Sequence, residues 1–152
     1  MALSTQSSAA PKFAANFCHK IEGKNRITIP SAWRYDEEVT MYMTARATQR
    51  CVAVMPWSEV ERIAGTVDAS NPRERSEMLD TLGSDLKQVT LDKTGRISIP
   101  DDFFELLNLP AGREVWLSGS LNTFNIWSVE EFEKFQEAEK ARKEALKRKM
   151  GI

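Results

Sequence analysis

The sequence has little of what catalysis usually requires. It contains one histidine and two cysteines, no Gly-rich phosphate-binding loop, and no apolar run long enough to span a bilayer. The histidine, His19, directly follows Cys18, and adjacent residues of a strand point to opposite faces, so the two do not readily cooperate on a metal or a substrate. These absences predict a protein that is not an enzyme and that holds no metal and no cofactor.

The sequence also lacks a strong excess of charge of either sign. Its formal net charge is −1 over 152 residues. This argues against indiscriminate binding to nucleic acid, so an anionic partner must be met by local basic patches. Residues 1–12 lack the charged start and long apolar stretch of a secretory signal. We therefore expect a cytoplasmic protein with no membrane association and with a mobile, polar N-terminal arm at 1–12.

What the sequence does contain is a repeat. The segment 21–30 reads IEGKNRITIP, and the segment 91–100 reads LDKTGRISIP. The same ungapped shift aligns Trp57 and the serine after it with Trp127 and the serine after that. Because matches so far apart keep one register, we infer two copies of a single structural unit.

Each copy is predicted to begin with two short strands joined by a tight turn. Apolar residues alternate before and after the turn, and Gly23, Asn25 and Gly95 suit the three-residue loop of a β-hairpin. Pro30 and Pro100 then end the second strand and suit the first turn of a short helix, at 31–36 and 101–108. Two more strands follow in each copy.

A helix is predicted to begin after each copy, at Ser58 and at Ser128, which start capping-box patterns. The chain then divides into an arm at 1–12, a first repeat at 13–66, a helical connector at 67–85, a second repeat at 86–135 and a charged helical tail at 136–152. The tail is rich in Lys and Arg. It is either a solvated helix whose cations suit its C-terminal dipole or a basic segment that adds attraction to phosphates.

Both turns place a carboxylate before an arginine at the same spacing. In one interpretation acid and arginine pair across the turn, and an exposed pair of this kind contributes about 0–1 kcal/mol. In the other, the acid orients the guanidinium toward phosphates or a base edge. The two are compatible, and the local excess of cations favours the second. The candidate contact residues are Lys24, Arg26, Lys93 and Arg96, with Glu22 and Asp92 as orienting acids and Lys20, Arg34 and Lys87 as auxiliary phosphate contacts.

This pattern resembles a known DNA-binding unit. A strand, an acid-x-x-x-Arg turn, then Ile-x-Ile-Pro and a short helix are similar to the AbrB-like (SpoVT-AbrB) unit. Two tandem copies, the second closed by NTFNIWSVEEFEKF, resemble the MraZ family over about 17–135. The family's Lys-Gly before the arginine is Lys-Asn in the first turn and Thr-Gly in the second. Because the first turn also has Glu22 in place of Asp, we expect it to be the weaker reader of DNA.

The resemblance implies a fold and a function. The fold would be α+β, mainly β, with two AbrB-like β-hairpin units interlocked as a small β-barrel, short peripheral helices and a long C-terminal helix. The function would be sequence-specific binding of double-stranded DNA at tandem promoter repeats by a homo-oligomeric ring. Such a protein would be a nucleoid-associated transcriptional regulator, a repressor of the bacterial division and cell-wall gene cluster including its own promoter. The alternative is an AbrB-like antitoxin or another non-enzymatic, oligomeric interaction protein.

Overall fold

The computed structural model describes residues 12–109 and 113–152, which form an α+β fold as predicted. The strands in this part of the chain are β1 (Asn16–Lys20), β2 (Arg26–Thr28), β3 (Val39–Ala45), β4 (Cys51–Met55), β5 (Lys87–Leu91), β6 (Arg96–Ser98), β7 (Glu114–Gly119) and β8 (Phe124–Ser128). The α-helices are α1 (Trp57–Gly65), α2 (Pro72–Asp85), α3 (Asp101–Leu106), α4 (Val129–Ala138) and α5 (Lys140–Met150).

The two copies exchange strands. The larger sheet is antiparallel and has the order β1-β7-β8-β4-β3-β5. In this order the first strand of each copy pairs with the third strand of the other, β1 with β7 and β5 with β3. The second strands of the two copies, β2 and β6, pair with each other and form a separate two-stranded sheet, which we call the ribbon. Each copy therefore supplies strands that pair with strands of the other.

The prediction of a β-hairpin at each of the two turns is wrong. The turn forms, but the strands on either side of it do not pair with each other. In the first copy one bridge joins Glu22 to Arg26, and the chain then passes from the larger sheet into the ribbon. In the second copy the Asp92 amide donates to the Arg96 carbonyl at 3.1 Å, and β5 and β6 again diverge into different sheets. The hairpins of the fold are instead β3–β4 and β7–β8. The strands around each turn thus find their partners in the other copy.

A closed barrel is not observed. Across the described residues the six-stranded sheet has free edges at β1 and β5. The ribbon pairs with neither edge. Its buried side chains pack against the larger sheet.

The core lies between the ribbon and one face of the larger sheet. Ile27 and Ile97, which face each other in the ribbon, are 0% and 1% exposed. They share a cluster with one face of the four central strands, contributed by Met41, Met43, Val52, Val54, Val115, Leu117, Phe124 and Ile126. The other face of the sheet is covered by α1, α2 and α4. The two innermost strands, β4 and β8, are therefore buried on both faces, and polar alternation is absent from them.

The helices differ from prediction in three places. Ser58 does not cap α1, which begins one residue earlier after Pro56. Ser128 does cap α4, because its side chain accepts a hydrogen bond from the Glu131 amide. The long C-terminal helix is divided into α4 and α5 at Glu139, where ψ is 7°. In the first copy, the short helix predicted at 31–36 is reduced to one 3₁₀ turn, Ser31–Trp33.

The predicted limits of the copies, connector and tail remain predictions. The arm predicted at 1–12 lies outside the described residues apart from Lys12. No helix in the described part of the chain is long and apolar enough to cross a membrane.

Candidate nucleic-acid interface

The second turn is organised by the carboxylate of Asp92. Its Oδ1 accepts hydrogen bonds from the Thr94 amide (3.0 Å), the Thr94 hydroxyl (2.7 Å) and the Arg96 amide (2.9 Å). Gly95 supplies the positive φ, 83°, that closes the turn. The Arg96 Nε then donates to the Thr94 hydroxyl at 3.1 Å and lies 3.7 Å from Asp92 Oδ2. The acid and the hydroxyl thus hold one edge of a half-exposed guanidinium.

These hydrogen bonds also favour the charged form of Asp92. The Arg96 amide and then the Thr94 hydroxyl hold the pKa of Asp92 below its ordinary value of 3.8. A carboxyl whose pKa is lowered by folding contributes stability above its unfolded pKa, and that contribution is lost as the pH falls through the folded pKa.

We predict that Asp92→Ala lowers the melting temperature more than Glu22→Ala. Asp92 accepts hydrogen bonds that hold its turn together, whereas Glu22 is exposed and joins its turn through the backbone. Thermal unfolding at neutral pH checks the order, and the gap between wild type and Asp92→Ala should narrow below pH 3.8. Equal losses in the two variants, or a gap that does not change with pH, would contradict the role assigned to Asp92.

The first turn is built differently. The Glu22 amide donates to the Arg26 carbonyl at 2.8 Å, but within the described residues no ion pair joins the Glu22 carboxylate to the Arg26 guanidinium. Lys24 and Asn25 both adopt positive φ, 63° and 57°, which is unfavourable for residues with a Cβ. The Asn25 side chain instead bonds Asp101 Oδ1 of the second copy at 3.1 Å. The orienting role predicted for Glu22 is therefore not visible here.

Arg26 also differs from Arg96 in the hydrogen bonding of its side chain. Its Nε is buried and has no hydrogen-bond partner among the described residues. Buried donors of this kind are rare, because leaving one unpaired costs free energy.

The ribbon places both arginines on one face. Arg26 lies opposite Ser98, and Arg96 lies opposite Thr28. Ile27 and Ile97 between them are buried against the larger sheet, so the flanking side chains point away from the core. The two arginines are therefore diagonal neighbours across the ribbon. Cα atoms in this relation are about 7–8 Å apart. The exposed Lys24 and Lys93 lie in the turns beside them.

The three auxiliary residues are not part of the ribbon strands. Lys20 is at the end of edge strand β1, opposite Glu114. Lys87 begins the other edge strand, β5, and its ammonium lies 3.1 Å from Asp102 Oδ2, which lowers the pKa of Asp102. Arg34 is turned inward, because its Nε and Nη2 donate to the Ile29 carbonyl at 3.2 and 3.1 Å.

Sequence reasoning missed two residues of the site. Thr94 connects Asp92 to Arg96, and an acid followed two positions later by threonine is a signal that could have indicated it, because such pairs form local side-chain-to-backbone turns. Asp101 is the first residue of α3, and its carboxylate also accepts a hydrogen bond from the Asn25 side chain of the first turn. That contact has no local signal, since the two residues meet only when the copies interlock.

The fold and the site together define a class: a duplicated α+β protein whose copies exchange strands and present two arginines on a common ribbon. Residues 84–151 match the family model described as "MraZ protein, putative antitoxin-like". This part of the chain, less than half of the 152 residues, is therefore similar to the MraZ family.

Proposed function

We propose that this protein is a non-enzymatic transcriptional regulator that binds specific double-stranded DNA through its two turns. In this proposal each copy is an AbrB-like unit. Arg26 and Arg96 contact the DNA with Lys24 and Lys93, and the target is the promoter of a division and cell-wall gene cluster that includes its own gene. There the protein acts as a repressor.

The observation that carries the proposal is the pair of arginines on the outer face of an antiparallel ribbon. A two-stranded ribbon fits the major groove of B-DNA, and arginine is the commonest reader of guanine there. A separation of about 7–8 Å corresponds to about two base-pair steps. The Asp92–Thr94 contact holds Arg96 in one orientation before binding, so less side-chain freedom is lost on binding.

The placement of the ribbon and the helices agrees with a one-sided interface. The ribbon lies on one face of the larger sheet, and helices α1, α2 and α4 lie on the other. The basic helix α5 follows α4 after a single residue, so it begins on the side away from the ribbon. We therefore propose that the turns, rather than the tail, make the primary DNA contacts.

We further propose that the chain assembles into a homo-oligomeric ring, as the family resemblance implies. Exposed apolar side chains on the helices favour contact with another protein chain. No residue of α2 is fully buried, and the Met78 side chain on this helix is 45% exposed. Turns repeated around a ring would gain avidity on tandem DNA repeats. Sedimentation of the chain without DNA measures the number of subunits, and a monomer at all concentrations would oppose this assembly.

The test of the proposed function is a titration of the purified chain against the DNA directly upstream of its gene, over a series of salt concentrations. If Lys24 and Lys93 each meet a phosphate while Arg26 and Arg96 read bases, the slope of log affinity against log salt should be about −2 per chain. Footprinting on the same DNA should show protected direct repeats. A shallow slope together with no preference over scrambled DNA would refute the proposal.

A second function is favoured by the description of the family itself. An antitoxin-like chain would bind a protein toxin, and the exposed face of α2 with the separate helix α5 offers surfaces for one. A small protein that copurifies in fixed stoichiometry and competes with DNA would support it.

A further inference from the structure

Arg34 occupies an unusual place between the two copies. Its guanidinium donates two hydrogen bonds to the Ile29 carbonyl of its own copy. The amide of the same Ile29 donates to the Gly95 carbonyl of the other copy at 2.7 Å. Ile29 is fully buried. Arg34 is therefore bonded to the segment that is itself bonded to the second turn.

Arg34 also lies directly against that turn. A Cβ added to Gly95 would come within 2.7 Å of Arg34 Cδ and would lie closer still to Nε. Gly95 is buried although it sits at the tip of a turn, and Arg34 is what covers it. The side chain and the Ile29 peptide thus hold Gly95 on two sides, one residue before Arg96.

We propose that Arg34 is a positioning residue for the 92–96 turn of the other copy, so that the presentation of Arg96 to DNA depends on a side chain from the first copy. This inference rests on the proposed function of the turns. It assigns Arg34 a role through Arg96 rather than a phosphate contact of its own, because the fork of its guanidinium is already directed at a carbonyl oxygen.

The arrangement is asymmetric. The repeat shift that takes residue 24 to residue 94 takes Arg34 to Phe104, which has no guanidinium to donate. The first turn keeps the equivalent backbone bond, from the Ile99 amide to the Asn25 carbonyl at 2.9 Å. Its additional contact is the Asn25–Asp101 hydrogen bond. Loss of Arg34 should therefore affect the second turn and leave the first in place.

The first experiment compares DNA binding of Arg34→Ala, Arg34→Lys and Arg96→Ala, with Arg50→Ala as a control. Arg50 is an exposed arginine of the β3–β4 loop. If Arg34 positions the turn, its alanine variant should lose affinity about as much as Arg96→Ala. Lysine should not rescue it, because an ammonium lacks the planar fork. The Arg34→Ala, Arg96→Ala double variant should be no weaker than Arg96→Ala, since the two changes remove one interaction.

The salt series separates this role from a phosphate contact. A phosphate contact predicts that Arg34→Lys retains most of the affinity and that Arg34→Ala reduces the salt slope by about 1 and adds to the effect of Arg96→Ala. Either that result or unchanged affinity in Arg34→Ala would overturn the positioning role.

A second experiment does not depend on DNA. Gly95→Ala should lower the melting temperature in the wild type, both through its positive φ and through the collision with Arg34. In an Arg34→Ala background the collision is removed, so Gly95→Ala should lower the melting temperature by less. Equal losses in both backgrounds would show that the contact is absent and would overturn the inference. If Arg96→Ala leaves DNA affinity unchanged, the proposed function fails while this thermal cycle still decides whether Arg34 holds the turn.

Discussion

Replacing Arg96 with alanine is expected to weaken DNA binding about 5- to 150-fold, because an arginine that reads a base contributes about 1–3 kcal/mol. Arg26→Ala should have a smaller effect. Arg96 is held by Thr94 and Asp92, whereas the Arg26 guanidinium has no ion pair with Glu22 among the described residues. The double variant should lose on the order of a hundredfold or more, since the two sites sit on separate turns. Gel-shift or fluorescence titrations on the upstream DNA measure all three.

The fold must survive for this result to be interpretable. Arg50→Ala, which removes an exposed arginine outside the ribbon, should leave the affinity and the melting temperature close to those of the wild type. Both ribbon variants should retain the wild-type circular dichroism spectrum, because neither side chain is part of the core. Unchanged affinity in both single variants and in the double variant would remove the turns from the interface.

Trp33→Ala is expected to cause the largest loss of stability. The Trp33 side chain is 1% exposed and lies between aromatic rings, with centroid distances of 5.7 Å to Phe13, 5.3 Å to Phe17 and 5.1 Å to Phe124. Its Nε1 also donates to the Ala14 carbonyl at 3.0 Å. Removing a buried side chain of this size costs about 3–5 kcal/mol, or a fall in melting temperature of about 6–20 °C.

The chain provides a matched control for this variant in Trp57. That tryptophan is 51% exposed, and its ring centroid lies 5.1 Å from that of Tyr42. Trp57→Ala should cost less than about 1 kcal/mol. Thermal or denaturant unfolding of the two alanine variants compares the positions directly, and similar losses at both would mean that the aromatic cluster around Trp33 is not part of the core.

The local parts of the site could be predicted from the sequence. An acid, a turn residue with positive φ and an arginine at fixed spacing define a tight turn through local hydrogen bonds, and the second copy forms it as expected at Asp92 and Gly95. The alternation in Ile-x-Ile-Pro predicts which side chains are buried, and Ile27, Ile29, Ile97 and Ile99 are all buried. It follows that the arginines point outward.

The pairing of the strands could not be predicted in the same way. A short strand, a tight turn and another short strand are typical of a hairpin. Here the strands on either side of each turn pair with the other copy instead. Partner choice depends on contacts between residues far apart in the chain, and these carry no local pattern. The contacts of Arg34 with Gly95 and of Asp101 with Asn25 join the two copies, and they carry no local pattern for the same reason.

The two repeated tryptophans differ in burial, and the repeat alone does not predict this difference. Trp57 and Trp127 occupy the same position in the two copies, yet Trp127 is 3% exposed. Phe132 and Phe135 of α4 cover it, at 5.7 and 4.8 Å between centroids. The positions that the repeat shift aligns with these phenylalanines hold Arg62 and Gly65, which cannot do so.

The sequence by itself thus determined that the chain is a duplication, that each copy carries an acid-to-arginine turn and that the isoleucines after each turn face inward. These features follow from short-range periodicity and from local hydrogen bonding. Only the tertiary structure decided that the copies exchange strands, that both arginines share one ribbon face and that Arg34 of one copy rests on the turn of the other. Those outcomes depend on which surfaces of the two copies meet, and burial of their isoleucines in a common core selects that arrangement.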